Sequence, residues 1–310
     1  MSKLVVSTTV WTGRAIICSV ALVLLGACGE RPRRAVVEGD TPTPPLTPLM
    51  GAEILVGAGD IASCASKGDE ATAALLDRIP GTVFTAGDNV YPNGTLDRYR
   101  RCYGPSWGRH RARTYPAAGN HDYRVNRGAA YYDYFGARAG PRGQGYYTFT
   151  LGDWLIVMLN TNIAIADGSE QAAWLRGVLA GRAGKCEIAI GHHPRFSSGP
   201  HGSDRRMASL WQILQNGGVE MMLASHDHFY ERFAPMNAAG ALDEARGVRQ
   251  FIVGTGGFKP YAPRERQPQS ERRRTATGVF KLSLGDGVYQ WEFVPVAGQT
   301  FRDWGEGRCR

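Results

Sequence analysis

The sequence predicts an α/β fold of the mixed, α+β kind: a β-sandwich flanked by helices. Three observations predict it. Six short apolar runs stand between glycines and polar residues: Ile54–Val56, Val83–Thr85, Leu155–Leu159, Ile188–Ile190, Met221–Leu223 and Phe251–Val253. Runs of that length with such boundaries fit strands buried on both faces. Helical patterns alternate with them over Glu70–Ile79, Glu170–Leu179 and Met207–Gln215. Finally, Val279–Leu284 and Gln290–Val294 flank Asp286-Gly287, which reads as a β-hairpin. Strand and helix alternate first, and strands then pair locally.

Taken in order, the chain opens with a segment outside this pattern. Lys3 and Arg14 precede an apolar run from Ala15 to Ala27, shorter than the roughly 20 residues a membrane span needs. It reads as the apolar region of a signal peptide. The run ends Leu25-Gly26-Ala27-Cys28, which resembles a bacterial lipobox with Cys28 as the lipidated first residue of the mature chain. An ordinary secretory signal cut near Ala27 is the alternative. Both readings take the protein out of the cytoplasm, and the first makes it a membrane-anchored lipoprotein of the periplasm or cell surface. Residues 28–50 hold Arg31, Pro32, Arg33, Arg34 and then Thr41-Pro42-Thr43-Pro44-Pro45 and Pro48, the composition of an extended tether. Residues 51–310 read as one domain. Asp69 and Ser169 stand where N-caps of the first two helices would be.

Loss of residues 1–27 removes Lys3 and Arg14 and no acids, lowering the formal charge from +8 to +6. Such modest basicity favours anionic substrates or a lipid surface, or is simply a solvated face. Basic and aromatic residues do not interleave as single-stranded nucleic acid requires, so no nucleic-acid partner is expected. Past Cys28 remain Cys64, Cys102, Cys186 and Cys309, an even number that allows three disulfide connectivities, or free buried thiols. Cys64–Cys102 with Cys186–Cys309 is the pairing expected, because Cys64 and Cys102 each closely follow a polar motif on one rim.

Five polar motifs carry the chemistry: Gly59-Asp60, Gly87-Asp88 with Tyr91, Gly119-Asn120-His121-Asp122, Gly191-His192-His193-Pro194 and Ser225-His226-Asp227-His228. Four of them directly follow apolar runs, and the C-terminal rim of a sheet is where α/β folds build sites. Hard cations take carboxylate and phenolate oxygen, while borderline ions also accept imidazole. A carboxylate can bridge two ions, and Tyr91 is near enough to Asp88 to reach the same one. Each motif alone is common in turns; five in this order specify a binuclear metal site.

These motifs resemble the calcineurin-like metallophosphoesterases, and within them the purple acid phosphatases, over roughly Gly57 to Gly257. The resemblance implies a four-layer sandwich with the metal site at C-terminal strand ends. It implies that Asp60, Asp88, Tyr91 and His228 hold one ion, and Asp88, Asn120, His192 and His226 the other. The ions implied are Fe(III) beside the tyrosine and Fe, Zn or Mn opposite. The implied activity is phosphomonoester hydrolysis of a small phosphorylated substrate by a metal-bound hydroxide. Phosphodiesterase or nucleotidase activity on the same centre is the alternative, and a non-catalytic metal- or phosphate-binding lipoprotein the more distant one. Two positions depart from the family pattern. Ala62 stands where the broader superfamily has a histidine, a loss matched by the gain of Tyr91. Ser225 replaces the usual glycine, which is strained if that position needs positive φ.

His121, next to Asn120, is the residue expected to contact the phosphate or protonate the leaving oxygen, with Asp122 orienting or charging it. Asn120, His193 and His201 are further candidate substrate contacts, His193 having packing beside Pro194 as its alternative. His110 reads as solvated surface, and the five arginines of Arg264–Arg274 as an exposed loop. Tyr131, Tyr132, Tyr134, Phe135, Tyr146 and Tyr147 read as packing.

Overall fold

The computed structural model describes residues 46–181 and 186–309. The leader, the lipobox at Cys28 and the tether up to residue 45 lie outside the described residues. Fifteen strands occur in order: β1 (Glu53–Ala58), β2 (Ala62–Ser63), β3 (Thr82–Ala86), β4 (Val90–Tyr91), β5 (Thr114–Ala117), β6 (Tyr147–Leu151), β7 (Trp154–Met158), β8 (Cys186–Ile190), β9 (Met221–Ala224), β10 (Tyr230–Met236), β11 (Val248–Val253), β12 (Ser270–Arg274), β13 (Gly278–Leu284), β14 (Val288–Pro295) and β15 (Trp304–Arg308). The helices are α1 (Gly68–Leu76), α2 (Leu96–Arg98), α3 (Asn120–Tyr123), α4 (Ala129–Phe135), α5 (Glu170–Ala180) and α6 (Ala208–Asn216).

While β2 and β4 pair separately, one large sheet runs β15-β14-β13-β1-β3-β5 and the other β12-β10-β11-β9-β8-β7-β6. Within them β1, β3 and β5 are mutually parallel, as are β7, β8, β9 and β11. All six apolar runs fall in these parallel strands, where both faces are covered. Phe84, Ile156, Ile188, Phe251, Phe280 and Trp291 pack between the sheets. Leu175, Leu210 and Trp211, from α5 and α6, cover one outer face, and Ala73, Leu76 and Tyr131, from α1 and α4, the other. The result is four layers, as expected. The hairpin is β13–β14, paired from Gly278↔Pro295 to Leu284↔Tyr289.

Three local expectations change. Ser169 caps α5 by accepting from the Ala172 N–H at 3.2 Å, but Asp69 lies inside α1, buried, accepting the Ser106 hydroxyl instead. Residues 270–274 are not loop: β12 pairs with β10, and Glu271 bridges Arg232 and Arg249. His110 is half-buried, its ring 3.0 Å from the Asp77 carboxylate. Tyr131 and Phe135 stack edge-on among their neighbours as packing. Both expected disulfides form, Cys64–Cys102 with Cα atoms 4.8 Å apart and Cys186–Cys309 at 5.5 Å. Among the described residues no helix is long and apolar enough to cross a membrane.

Candidate metal centre

Five parallel strands end at one place. Asp60 lies two residues past β1, Asp88 two past β3, Asn120 three past β5, His192 two past β8 and His226 two past β9, while Tyr91 ends β4. The two sheets thus bring polar side chains together over an apolar core, as strand ends of layered folds do. Three of these residues adopt left-handed backbone: Asp60 (φ 57°), Asp88 (φ 49°) and His226 (φ 73°). Such positions cost on the order of 1–3 kcal/mol each and persist only where surroundings fix them. Here the Asp60 N–H donates to Gly87 O at 3.1 Å, and the His226 N–H to Asp60 Oδ2 at 2.9 Å.

The side chains form two quartets sharing one oxygen. In the first, the Tyr91 hydroxyl lies 2.7 Å from Asp60 Oδ1, 2.9 Å from Asp88 Oδ2 and 3.2 Å from His228 Nε2. In the second, His192 Nε2 lies 2.9 Å from Asn120 Oδ1, 3.1 Å from His226 Nδ1 and 3.4 Å from Asp88 Oδ2. These are the two sets that the resemblance implied, with Asp88 common to both. His193 also brings a ring nitrogen to the group of His192 and His226.

Backbone carbonyls set the ring orientations. The Nδ1–H groups of His121, His192 and His228 donate to Pro92 O (2.7 Å), Ala86 O (3.0 Å) and Lys259 O (3.2 Å), which turns each Nε2 inward. Such outer contacts fix tautomer and aim in metal sites. Ser225 is not strained, because the positive φ falls on His226. Its hydroxyl donates to Ala86 O at 2.6 Å and lies 3.0 Å from His192 Nδ1, so it helps hold that ring.

The electrostatics show how burial and neighbouring charges act on these donors. Burial raises the Asp60 carboxyl against the pull of His228 and His192. Burial also opposes ionisation of Asp88, yet the His192 charge and hydrogen bond hold it well below the carboxylate range. His192 is correspondingly raised to about 9, Asp88 overcoming burial. Burial and then the charges of His192, His193 and His201 push His226 far down, keeping it neutral. Tyr91 stays protonated, its pKa driven well above the ordinary value by burial and by Asp60 and Asp88. Two fully buried carboxylates, a phenol and three inward imidazole nitrogens therefore crowd acceptor atoms together. That donor set fits two cations.

The remaining candidates divide. His121 stands beside the centre: its N–H donates to Asp88 Oδ1 at 2.7 Å and its Nε2 is 3.9 Å from Asp88 Oδ2. Asp122 does not reach the His121 ring, contrary to expectation. Its carboxylate accepts from Gly119 N (2.8 Å), Asn89 N (3.1 Å) and Tyr99 Oη (2.6 Å), and burial with the Asp88 charge raises it to about 6. It organises the loop that presents Asn120; the Pro92 carbonyl orients His121. The His201 ring lies 4.3 Å from the His226 ring. Phe258 and Tyr261, which sequence reasoning missed, stack on Tyr91 (3.6 Å) and His228 (4.7 Å). Their signal was the preceding Gly254-Thr255-Gly256-Gly257 run: a Cβ on Gly254 would stand 2.5 Å from Asp60 Oδ2.

A four-layer sandwich with two quartets of candidate metal ligands at its strand ends is the architecture of a metallophosphoesterase. The calcineurin-like phosphoesterase family model matches residues 55–230, more than half of the chain, and the protein belongs to that family. Its members use a dinuclear metal centre. An uncharacterized protein of Mycobacterium tuberculosis is 27% identical over 282 residues, covering 74% of this chain and 51% of its own length. Purple acid phosphatase 21 of Arabidopsis thaliana is 29% identical over 151 residues, 46% of this chain and 34% of that protein. The chain thus spans about half the length of its mycobacterial relative and a third of the plant enzyme. The fold matches purple acid phosphatase PPD1 of yellow lupin seeds, with TM-score 0.65, 20% identity and coverage of 84% and 54% of the two chains. It matches equally GAP50, the anchor in the inner membrane complex of Plasmodium, with TM-score 0.65, 14% identity and coverage of 83% and 89%.

Proposed function

We propose that the protein is an exported, lipid-anchored phosphomonoesterase with Fe(III) beside Tyr91 and Fe, Zn or Mn beside His192. The observation that carries this reading is the convergence of both quartets on Asp88 Oδ2, with a phenol in one of them. Bound cations supply neutralisation of phosphoryl charge and acidify water. The chain's own residues do the rest. Asn120 and His121 open α3 and face the space in front of the centre. Pro92 takes the Nδ1–H of His121, so Nε2 is the atom that handles the proton of the leaving oxygen. Burial keeps this imidazole below its ordinary value, with Asp88 opposing. His201, over the His226 ring, is the further group assigned to the phosphate, and His193 lines the adjoining cleft.

The test is metal content of the purified protein alongside hydrolysis of p-nitrophenyl and bis-p-nitrophenyl phosphate. Two ions per chain with faster monoester cleavage is the expected result. Faster diester cleavage would favour a phosphodiesterase, and ions without turnover a binding protein. The iron assignment has its own readout: a visible charge-transfer band that Tyr91→Phe removes. A colourless protein with full activity would sink it.

A further inference from the structure

Next to the metal centre a cleft of about 360 Å³ is lined by Asn120, Tyr123, Arg124, Asn162, His193 and Arg206. Asn120 belongs to the second quartet, so the cleft adjoins the space where a scissile phosphate would lie. Its wall holds donors and no carboxylate. Tyr123 and Asn162 are committed to neighbours: Tyr123 Oη meets Tyr132 Oη at 2.7 Å, and Asn162 Nδ2 donates to Ala118 O at 2.8 Å. The two arginines keep guanidinium N–H groups to spare. Arg124 donates to the Pro92 carbonyl at 3.2 Å, and no carboxylate among the described residues pairs with it. Asp204 takes Nε and Nη2 of Arg206, at 3.1 and 2.6 Å, and leaves Nη1.

His193 adds a third donor. Thr161 Oγ1 accepts the His193 N–H at 3.2 Å and lies 2.6 Å from its Nδ1. The Thr161 hydroxyl has one proton, and Nδ1 is the acceptor at hand, which assigns the ring proton to Nε2. Two guanidinium groups and an imidazole N–H thus border a polar cleft that gives an apolar leaving group little wall to pack on.

We propose that this cleft is a second oxyanion subsite. The preferred substrates are phosphomonoesters whose alcohol carries a further anionic group, phosphoryl or carboxylate, received by Arg124, Arg206 and the His193 Nε2–H. The inference rests on the phosphatase reading for the position of the scissile group, but its test is a binding measurement and does not need turnover. Guanidinium is the group that receives planar or tetrahedral oxyanions with paired, charge-assisted bonds.

The experiment is calorimetric titration of the metal-loaded protein with propylphosphonate, propane bisphosphonate and phosphonopropionate, none of which is hydrolysed. At least one of the two doubly anionic ligands should bind about tenfold tighter than propylphosphonate, the scale of a charge-assisted contact. That preference should fall to within about twofold in the Arg124→Gln/Arg206→Gln variant. Arg127→Gln, an exposed arginine outside the cleft, should retain it. Preference for the bisphosphonate alone assigns the subsite to phosphoryl groups, and for phosphonopropionate alone to carboxylates. Equal affinity of all three ligands, or an unchanged preference in the double variant, overturns the proposal. Failure of the phosphatase reading would show separately, as absence of ester hydrolysis.

Discussion

Asp88→Asn is expected to empty both metal positions and lower kcat/KM for a phosphomonoester by at least about 10³-fold, beyond the 10–100-fold typical of outer-contact changes. Asp88 Oδ1 accepts the His121 N–H at 2.7 Å while Oδ2 accepts from Tyr91 and faces His192 Nε2 at 3.4 Å. An amide keeps the shape and loses the charge. One of its ends becomes a donor, which confronts either the His121 N–H or the crowded inward side. Without the carboxylate, His192 also loses the charge that raises it, and both quartets lose their common oxygen. Metal analysis and steady-state rates on the same preparation check this, with circular dichroism to confirm folding. Two ions per chain and near-normal turnover would show that Asp88 is not the bridge.

Gly119→Ala is expected to do comparable damage without touching a ligand. A Cβ there would lie 2.1 Å from the Asp88 backbone nitrogen and 2.1 Å from Asp88 Oδ1. Those neighbours are backbone and a buried carboxylate, and neither can swing aside. Overpacking of this kind costs about 1–3 kcal/mol. Displacing a site residue by about an ångström costs on the order of 10²-fold in rate. Denaturation midpoint, metal stoichiometry and kcat should therefore fall together. A variant that keeps two tightly bound ions and loses only stability would mean that Asp88 accommodates the methyl group.

Much of the fold was legible because parallel strands are covered on both faces and leave uninterrupted apolar runs. Strands that carry charge were not. β12 reads Ser-Glu-Arg-Arg-Arg, and only its pairing with β10, and Glu271 between Arg232 and Arg249, makes it a strand. Asp69 has a cap residue's chemistry, but Ser106, distant in sequence, supplied another partner. The seven candidate ligand positions stood out as polar residues at or shortly after strands. Their supports were not: the carbonyls of Pro92, Ala86 and Lys259, and the rings of Phe258 and Tyr261, reach the site only through tertiary folding. Asp122 shows the limit of adjacency, since a residue next to His121 in a helix turn points its carboxylate elsewhere.

The Cys64–Cys102 bond has a consequence for when this chain becomes competent. It closes a loop 38 residues in separation that contains Asp88 and Tyr91. In the chain-entropy description, closure of that length is worth about 4 kcal/mol against the unfolded state. A newly made, still reduced chain lacks that constraint on two residues of the first quartet, while three of the candidate ligand residues hold strained backbone. Such a chain is expected to hold metal more weakly than its oxidised form, with thiol pairing preceding metal retention; equal metal stoichiometry with and without reductant would overturn this.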